Sequence, residues 1–234
     1  MPSPHKPSAR RQTIQWIGAA AACLMGSAMA TTALAAPLWA TKPVTSNTGS
    51  SSNAPTDIAL LSGDVIYRAS APDAVSLLIA QFSPLPQSLW THVGIVVQSS
   101  TTGQALWHVL HAMPDVGVAL EPLASFTSSA QARELAVLRP QSPRLAQQLV
   151  HSAMAHLGKP FDNAMRWSDT DSLYCTQLLA LAWPKHSAHS AGSSRIRVPM
   201  YSEPVLHPDS LWLDMLKSGD FKLLGSTMKG STRV

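Results

Sequence analysis

Apolar residues follow three regimes along this chain. From Ile17 to Ala36 they form one alanine-rich run, IGAAAACLMGSAMATTALAA. Residues 37–57, PLWATKPVTSNTGSSSNAPTD, show no apolar period. From Ile58 onward, apolar and polar positions alternate or recur at fixed steps. Alternation or short apolar runs mark strands at Gly63–Tyr67 (GDVIY), His92–Gln98 (HVGIVVQ), Gln104–Ala112 (QALWHVLHA), Gly117–Leu123 (GVALEPL) and Glu134–Pro140 (ELAVLRP). The turn formers SSTTG and MPDVG join three of these as an antiparallel meander would require. A helix is predicted over Pro72–Phe82, with Pro and Asp in its first turn. A second starts at Ser142, which can cap it with Pro143 at its first position, and Gly158 can end it. There Leu145, Leu149, Ala153 and Leu157 recur at steps of four, one buried stripe. After the polar loop GKPFDNAMRWSDTDS, a third helix is predicted from Asp171 or Ser172 to Trp183, stopped by Pro184. A short one lies in HPDSLWLDMLKSG, with Pro208 near its start. Helices flanking a run of antiparallel strands make the fold class α+β.

The N-terminus changes the picture. Lys6, Arg10 and Arg11 precede the alanine-rich run, no acidic residue occurs before Asp57, and ALAA at Ala33–Ala36 fits a small-residue cleavage site. Residues 1–35 therefore read as a secretory signal peptide, 36–57 as a flexible linker, 58–225 as one domain and 226–234 as a tail. The run is too weakly apolar for a span of about 20 residues, so no stable membrane span is expected after cleavage. Arg10-Arg11 is a weak twin-arginine signal, and AAAC ending at Cys23 is a poor lipoprotein box, with Ala20 where Leu is usual. The expected location is periplasmic or secreted. Of 17 basic residues three leave with the leader, whereas none of the 13 acidic ones does, so the mature chain carries 14 against 13. That balance gives no reason to expect a nucleic-acid partner.

Cleavage also removes Cys23 and leaves Cys175 alone in DSLYCTQLLALAW. A lone cysteine has no internal disulfide partner, so it is either a buried small apolar residue or a functional thiol. In the first turn of its helix, free N–H groups and the macrodipole favour thiolate and could hold an oxyanion. A base would have to come from the histidines. His151 and His156 lie on an amphipathic helix as surface or edge residues, and His186, His189 and His207 sit in a loose tail. His92 opens an otherwise apolar strand. His108 and His111 share the next strand three residues apart, so they point to opposite faces and only one can join His92. No Cys or His pair has zinc-ligand spacing, so neither a metal nor a cofactor is expected.

In this order, SGDVIYR, WTHVGIVV, a histidine-bearing strand, GKPFD and DSLYCTQLL resemble the YiiX/YebB-type branch of the NlpC/P60 superfamily, which are circularly permuted papain-like cysteine hydrolases. HPDSL and FKLL near the C-terminus are similar to the branch's closing segment, so the resemblance runs from about Leu61 to Leu224. It implies a permuted papain-like fold, an antiparallel sheet or partial barrel packed against helices. It implies Cys175 as nucleophile, His92 as general base and a polar third residue from the following strand. There the branch often has Glu before Ala; here HA stands in that place and assigns the role to His111. Permutation accounts for a base that precedes the nucleophile. Tyr174 and Trp90, next to two of these residues, are candidates for the substrate groove or for the core. The implied substrate is a cell-wall (peptidoglycan) peptide amide. Two alternatives are a lipid or acyl-ester hydrolase or acyltransferase, and a non-catalytic envelope-binding module.

Overall fold

Strands that alternate apolar and polar residues expose two different faces once paired, and here both faces are covered. The computed structural model describes residues 58–227 apart from 73, 86–89, 102–103 and 185–193. The leader, the linker, most of the tail, His186 and His189 lie outside the described residues. Six strands form one sheet: β1 (Val65–Ser70), β2 (His92–Thr101), β3 (Gln104–Met113), β4 (Gly117–Pro122), β5 (Ala132–Pro140) and β8 (Phe221–Ser226). Their order is β4-β3-β2-β1-β5-β8, and every pairing is antiparallel. β6 (Arg195–Ile196) and β7 (Val205–Leu206) pair separately. The helices are α1 (Ala74–Gln81), α2 (Leu123–Phe126), α3 (Pro143–Met154), α4 (Cys175–Ala182) and α5 (Pro208–Lys217). The fold is α+β, with an open sheet and not a closed barrel. No helix among the described residues is long and apolar enough to cross a membrane.

One face of the sheet, carrying Val65, Tyr67, Val93, Ile95, Leu110 and Leu138, packs with α3, α4 and α5 into the larger core. The other, carrying Ile66, Val96, Val109, Leu135 and Val137, is covered by Phe126 of α2. Successive strand residues alternate between the two, so position parity decides which cluster a side chain joins.

Two helices depart from the expected bounds. α3 is capped by Ser142, whose Oγ accepts from Leu145 N at 3.1 Å, but it ends at Met154. Leu157 therefore falls beyond the stripe and is 47% exposed. α4 begins at Cys175, not at Asp171 or Ser172. Ser172 is turned away by Asp169, which accepts from its N–H and hydroxyl, and Leu173 is bridged to Phe161. α2, β6, β7 and β8 go unpredicted because four- and two-residue elements carry no readable period and FKLL shows no alternation.

Candidate active site

The loop before α4 sets where Cys175 stands. Asp162, buried, accepts from Ala164 N at 2.9 Å and Arg166 N at 2.6 Å, closing the turn after GKPF. Gln177, also buried, donates to the carbonyl of Asp169 at 2.6 Å and to those of Arg166 and Trp167 at 3.3 Å. Tyr174 and Thr176 grip one residue of β7: Leu206 N donates to the Tyr174 hydroxyl at 3.3 Å, and Thr176 Oγ1 donates to Leu206 O at 2.6 Å. The residues around the thiol in YCTQL thus hold it in place by satisfying backbone groups that would otherwise be buried unpaired. On the far side, Gly117 begins β4 at φ +82°, and a Cβ there would stand 2.2 Å from Lys159 O. Only glycine lets β4 approach the loop this closely.

β2 brings the thiol its neighbours. Its ladder with β3 runs to Ile95–Leu110 and stops, so β3 does not take up the N–H of Val93. That N–H faces the Cys175 sulfur, as do those of Thr176 and of Cys175 itself. The thiol therefore meets the peptide unit joining His92 to Val93. Thr91 fixes the start of β2 to the end of β1, accepting from Ser70 N at 2.9 Å.

His92 and His111 are in contact, Nε2 to Nδ1 at 2.6 Å, with rings 4.9 Å apart and near perpendicular. Parity puts both on the α2 face, while His108 points to the opposite one, 3.5 Å from Ser99 Oγ. Gly94 makes the contact sterically possible. It lies between His92 and Val96 on this face, and a Cβ there would stand 2.4 Å from Val109 Cγ1 and 3.0 Å from His111 Cβ. Arg68 of β1, paired in register with His92, and Glu121 of β4, paired with Val109, complete a polar row across four strands. Phe126 roofs the row: its ring lies 4.4 Å from the Arg68 guanidinium, 5.9 Å from His92 and 5.2 Å from His111. His111 Nε2 stands 3.0 Å from Glu121 Oε2. The pair does not meet hydrogen-bond geometry, so this is a close charge contact, poorly aimed as a hydrogen bond.

Electrostatics set the resting protonation. Burial lowers the His92 pKa well below 6.5, and His111 and Arg68 lower it further. Burial also lowers His111, although the Glu121 contact opposes it. Both rings are neutral at pH 7. Glu121 is held ionised by His111 and Ser125. The Cys175 residue is partly exposed, yet its sulfur is closely surrounded, and burial pushes the thiol up to about 11 against the pull of the N–H groups and Arg68. This runs against the thiolate expected from a first-turn position, with desolvation set against the helix terminus.

The remaining residues singled out in the sequence take structural places. Trp90 and Tyr174 do not line a groove: Trp90 packs with Tyr67 and Trp212 in the core, and Tyr174 is buried. His207 is no loose-tail residue. It is buried, caps α5 through Asp209 N at 3.1 Å and meets Ile79 O at 2.9 Å. Arg68 and Glu121 escape sequence reading, since only the strand register brings them to the histidines; a charge in an apolar strand, as in VIYRAS and GVALEP, is the one signal they give. Among the described residues no three or more His, Cys, Asp or Glu side chains are grouped to hold a metal ion.

The family described as "Permuted papain-like amidase enzyme, YaeF/YiiX, C92 family" matches residues 59–206. This label differs slightly from the NlpC/P60 one. The chain resembles in fold a solved structure described as metalloprotein yiiX from Escherichia coli O157:H7. The TM-score is 0.54 and the identity 20%, over 72% of this chain and 98% of that one. No curated protein matches.

Proposed function

Since this chain belongs to the permuted papain-like amidases of the YaeF/YiiX, C92 family and is thereby a cysteine hydrolase, we propose that it is exported and cleaves a peptide amide, of the cell-wall type, with Cys175 as nucleophile, His92 as base and His111 as the residue that orients it. The observation that carries this reading is the contact of His92 Nε2 with His111 Nδ1, together with the N–H of Val93, next in the chain to His92, facing the Cys175 sulfur at the start of α4. With Nε2 engaged, Nδ1 is the nitrogen that serves the thiol.

Thiol and imidazole are both neutral at rest, so proton transfer accompanies attack. The Cys175 sulfur bonds the amide carbon while its proton passes to His92, and the N–H groups of Cys175 and Thr176, which face the sulfur at rest, are the donors at hand for the oxyanion. His92 then protonates the leaving nitrogen as the C–N bond breaks, leaving a thioester. Water, deprotonated by His92, attacks the thioester, releases the carboxylate and restores the thiol.

The experiment compares rates of His92→Ala, His111→Ala and His108→Ala on muropeptide amides. His92→Ala is expected to abolish turnover. His111→Ala should leave a residual rate, because an orienting group makes no bond. His108→Ala should act only through stability. If His108→Ala is crippling and His111→Ala silent, the assignment is wrong.

A further inference from the structure

A neutral imidazole carries one proton, and a base is useful only if that proton is on the nitrogen facing away from the nucleophile. His92 alone does not fix this. Its Nε2 meets His111 Nδ1 at 2.6 Å, and that contact is satisfied in either direction. If His111 holds its proton on Nδ1, His92 Nε2 must accept it, and the His92 proton sits on Nδ1, where it blocks the base. If His111 holds its proton on Nε2, its Nδ1 accepts from His92 Nε2–H, and His92 Nδ1 is left with its lone pair.

We infer that Glu121 is a positioning residue that breaks this symmetry, its carboxylate drawing the His111 proton to Nε2 and so fixing both tautomers in the order that frees His92 Nδ1. This rests on the reading of His92 as the base. Glu121 Oε2 lies 3.0 Å from His111 Nε2, while Oε1 accepts from Ser125 Oγ at 2.7 Å, which steadies the carboxylate. The off-axis approach does not weaken the point, because the choice between tautomers needs only a negative charge nearer one nitrogen than the other. His111 is wholly buried and the Glu121 side chain is 12% exposed, so solvent screens the pair little. The charged or titratable groups acting on the two rings, besides each other, are Arg68 from β1 and Glu121 from β4; α2 contributes only the Phe126 ring. Of these only Glu121 is an anion, and it is the one that stands against a ring nitrogen, His111 Nε2. The distinction matters because His111 is neutral: a doubly protonated ring would have no tautomer to choose.

The test is imidazole ¹⁵N NMR of the labelled full-length protein at pH 7.5, which distinguishes protonated from lone-pair nitrogens ring by ring. In the wild type, His92 and His111 should both show a protonated Nε2 and a lone-pair Nδ1. In Glu121→Ala both rings should lose that preference and give averaged nitrogen signals, and Glu121→Gln, which keeps the shape but removes the charge, should lose most of it as well. A wild-type His92 protonated on Nδ1, or tautomers unchanged in Glu121→Ala, overturns the inference. The wild-type spectrum decides even if the alanine variant does not fold. Failure of the parent reading is a separate result: it would appear as turnover surviving His92→Ala, with the tautomers as stated.

Discussion

Changing the protonation of Cys175 is the sharpest perturbation available. Burial pushes the thiol up to about 11, so at pH 7 its thiolate is about 100-fold scarcer than in the unfolded chain. The more basic thiolate is the stronger nucleophile. With the Brønsted slope of about 0.4–0.5 known for thiol–disulfide exchange, this offsets about 6- to 10-fold. Iodoacetamide should therefore label Cys175 in the folded protein about 10- to 16-fold more slowly than in urea at pH 7. The folded rate should keep climbing about tenfold per pH unit past the point where the unfolded chain levels off. Mass spectrometry of the Cys175 peptide reads the rate separately from Cys23. Folded protein labelling at pH 6 as fast as unfolded protein would mean a resting thiolate–imidazolium pair, and the neutral-pair account would fail.

Three more outcomes follow from the same geometry. Unfolded imidazoles take a proton near pH 6.5, but buried His92, His111 and His207 do so only at lower pH. The unfolded state thus binds more protons in that window, and stability is lost as pH falls below about 6.5, by up to about 1.4 kcal/mol per unit for each ring. Urea midpoints at pH 7.5, 6 and 5 measure this, and a flat series would contradict neutral burial. Turnover should rise with pH through a pKa below 6.5 and stay level through neutrality; a fall from pH 6 to 8 would mean that the working base is charged. Gly94→Ala should cost about 1–3 kcal/mol in stability by overpacking Val109, and should also displace His111, which NMR of the two rings would detect.

Strands β1 to β5 and most helices were legible because alternation and four-residue steps are local properties of the chain. Parity along a strand, equally local, puts His108 and His111 on opposite faces, whereas the choice of His111 for the face of His92 came from the family resemblance. What could not be read depends on distant groups. Glu121 reaches His111 only through the β3–β4 register, Arg68 reaches His92 only through β1–β2, and His207 is buried by α1 from more than a hundred residues away. The sign of the Cys175 shift was illegible for a related reason. A helix terminus can be read from sequence, but the desolvation that outweighs it comes from the packed surroundings of the sulfur.

The central claim, that Cys175 forms the acyl intermediate, is tested most directly by acid-quenching the enzyme during turnover of muropeptide amides and locating the adduct by mass spectrometry. The account predicts an acyl mass on the Cys175 peptide, released on restoring neutral pH, with turnover lost by about 10⁴-fold or more in Cys175→Ala. Turnover by Cys175→Ala at near the wild-type rate, or an acyl adduct on another residue, would contradict it.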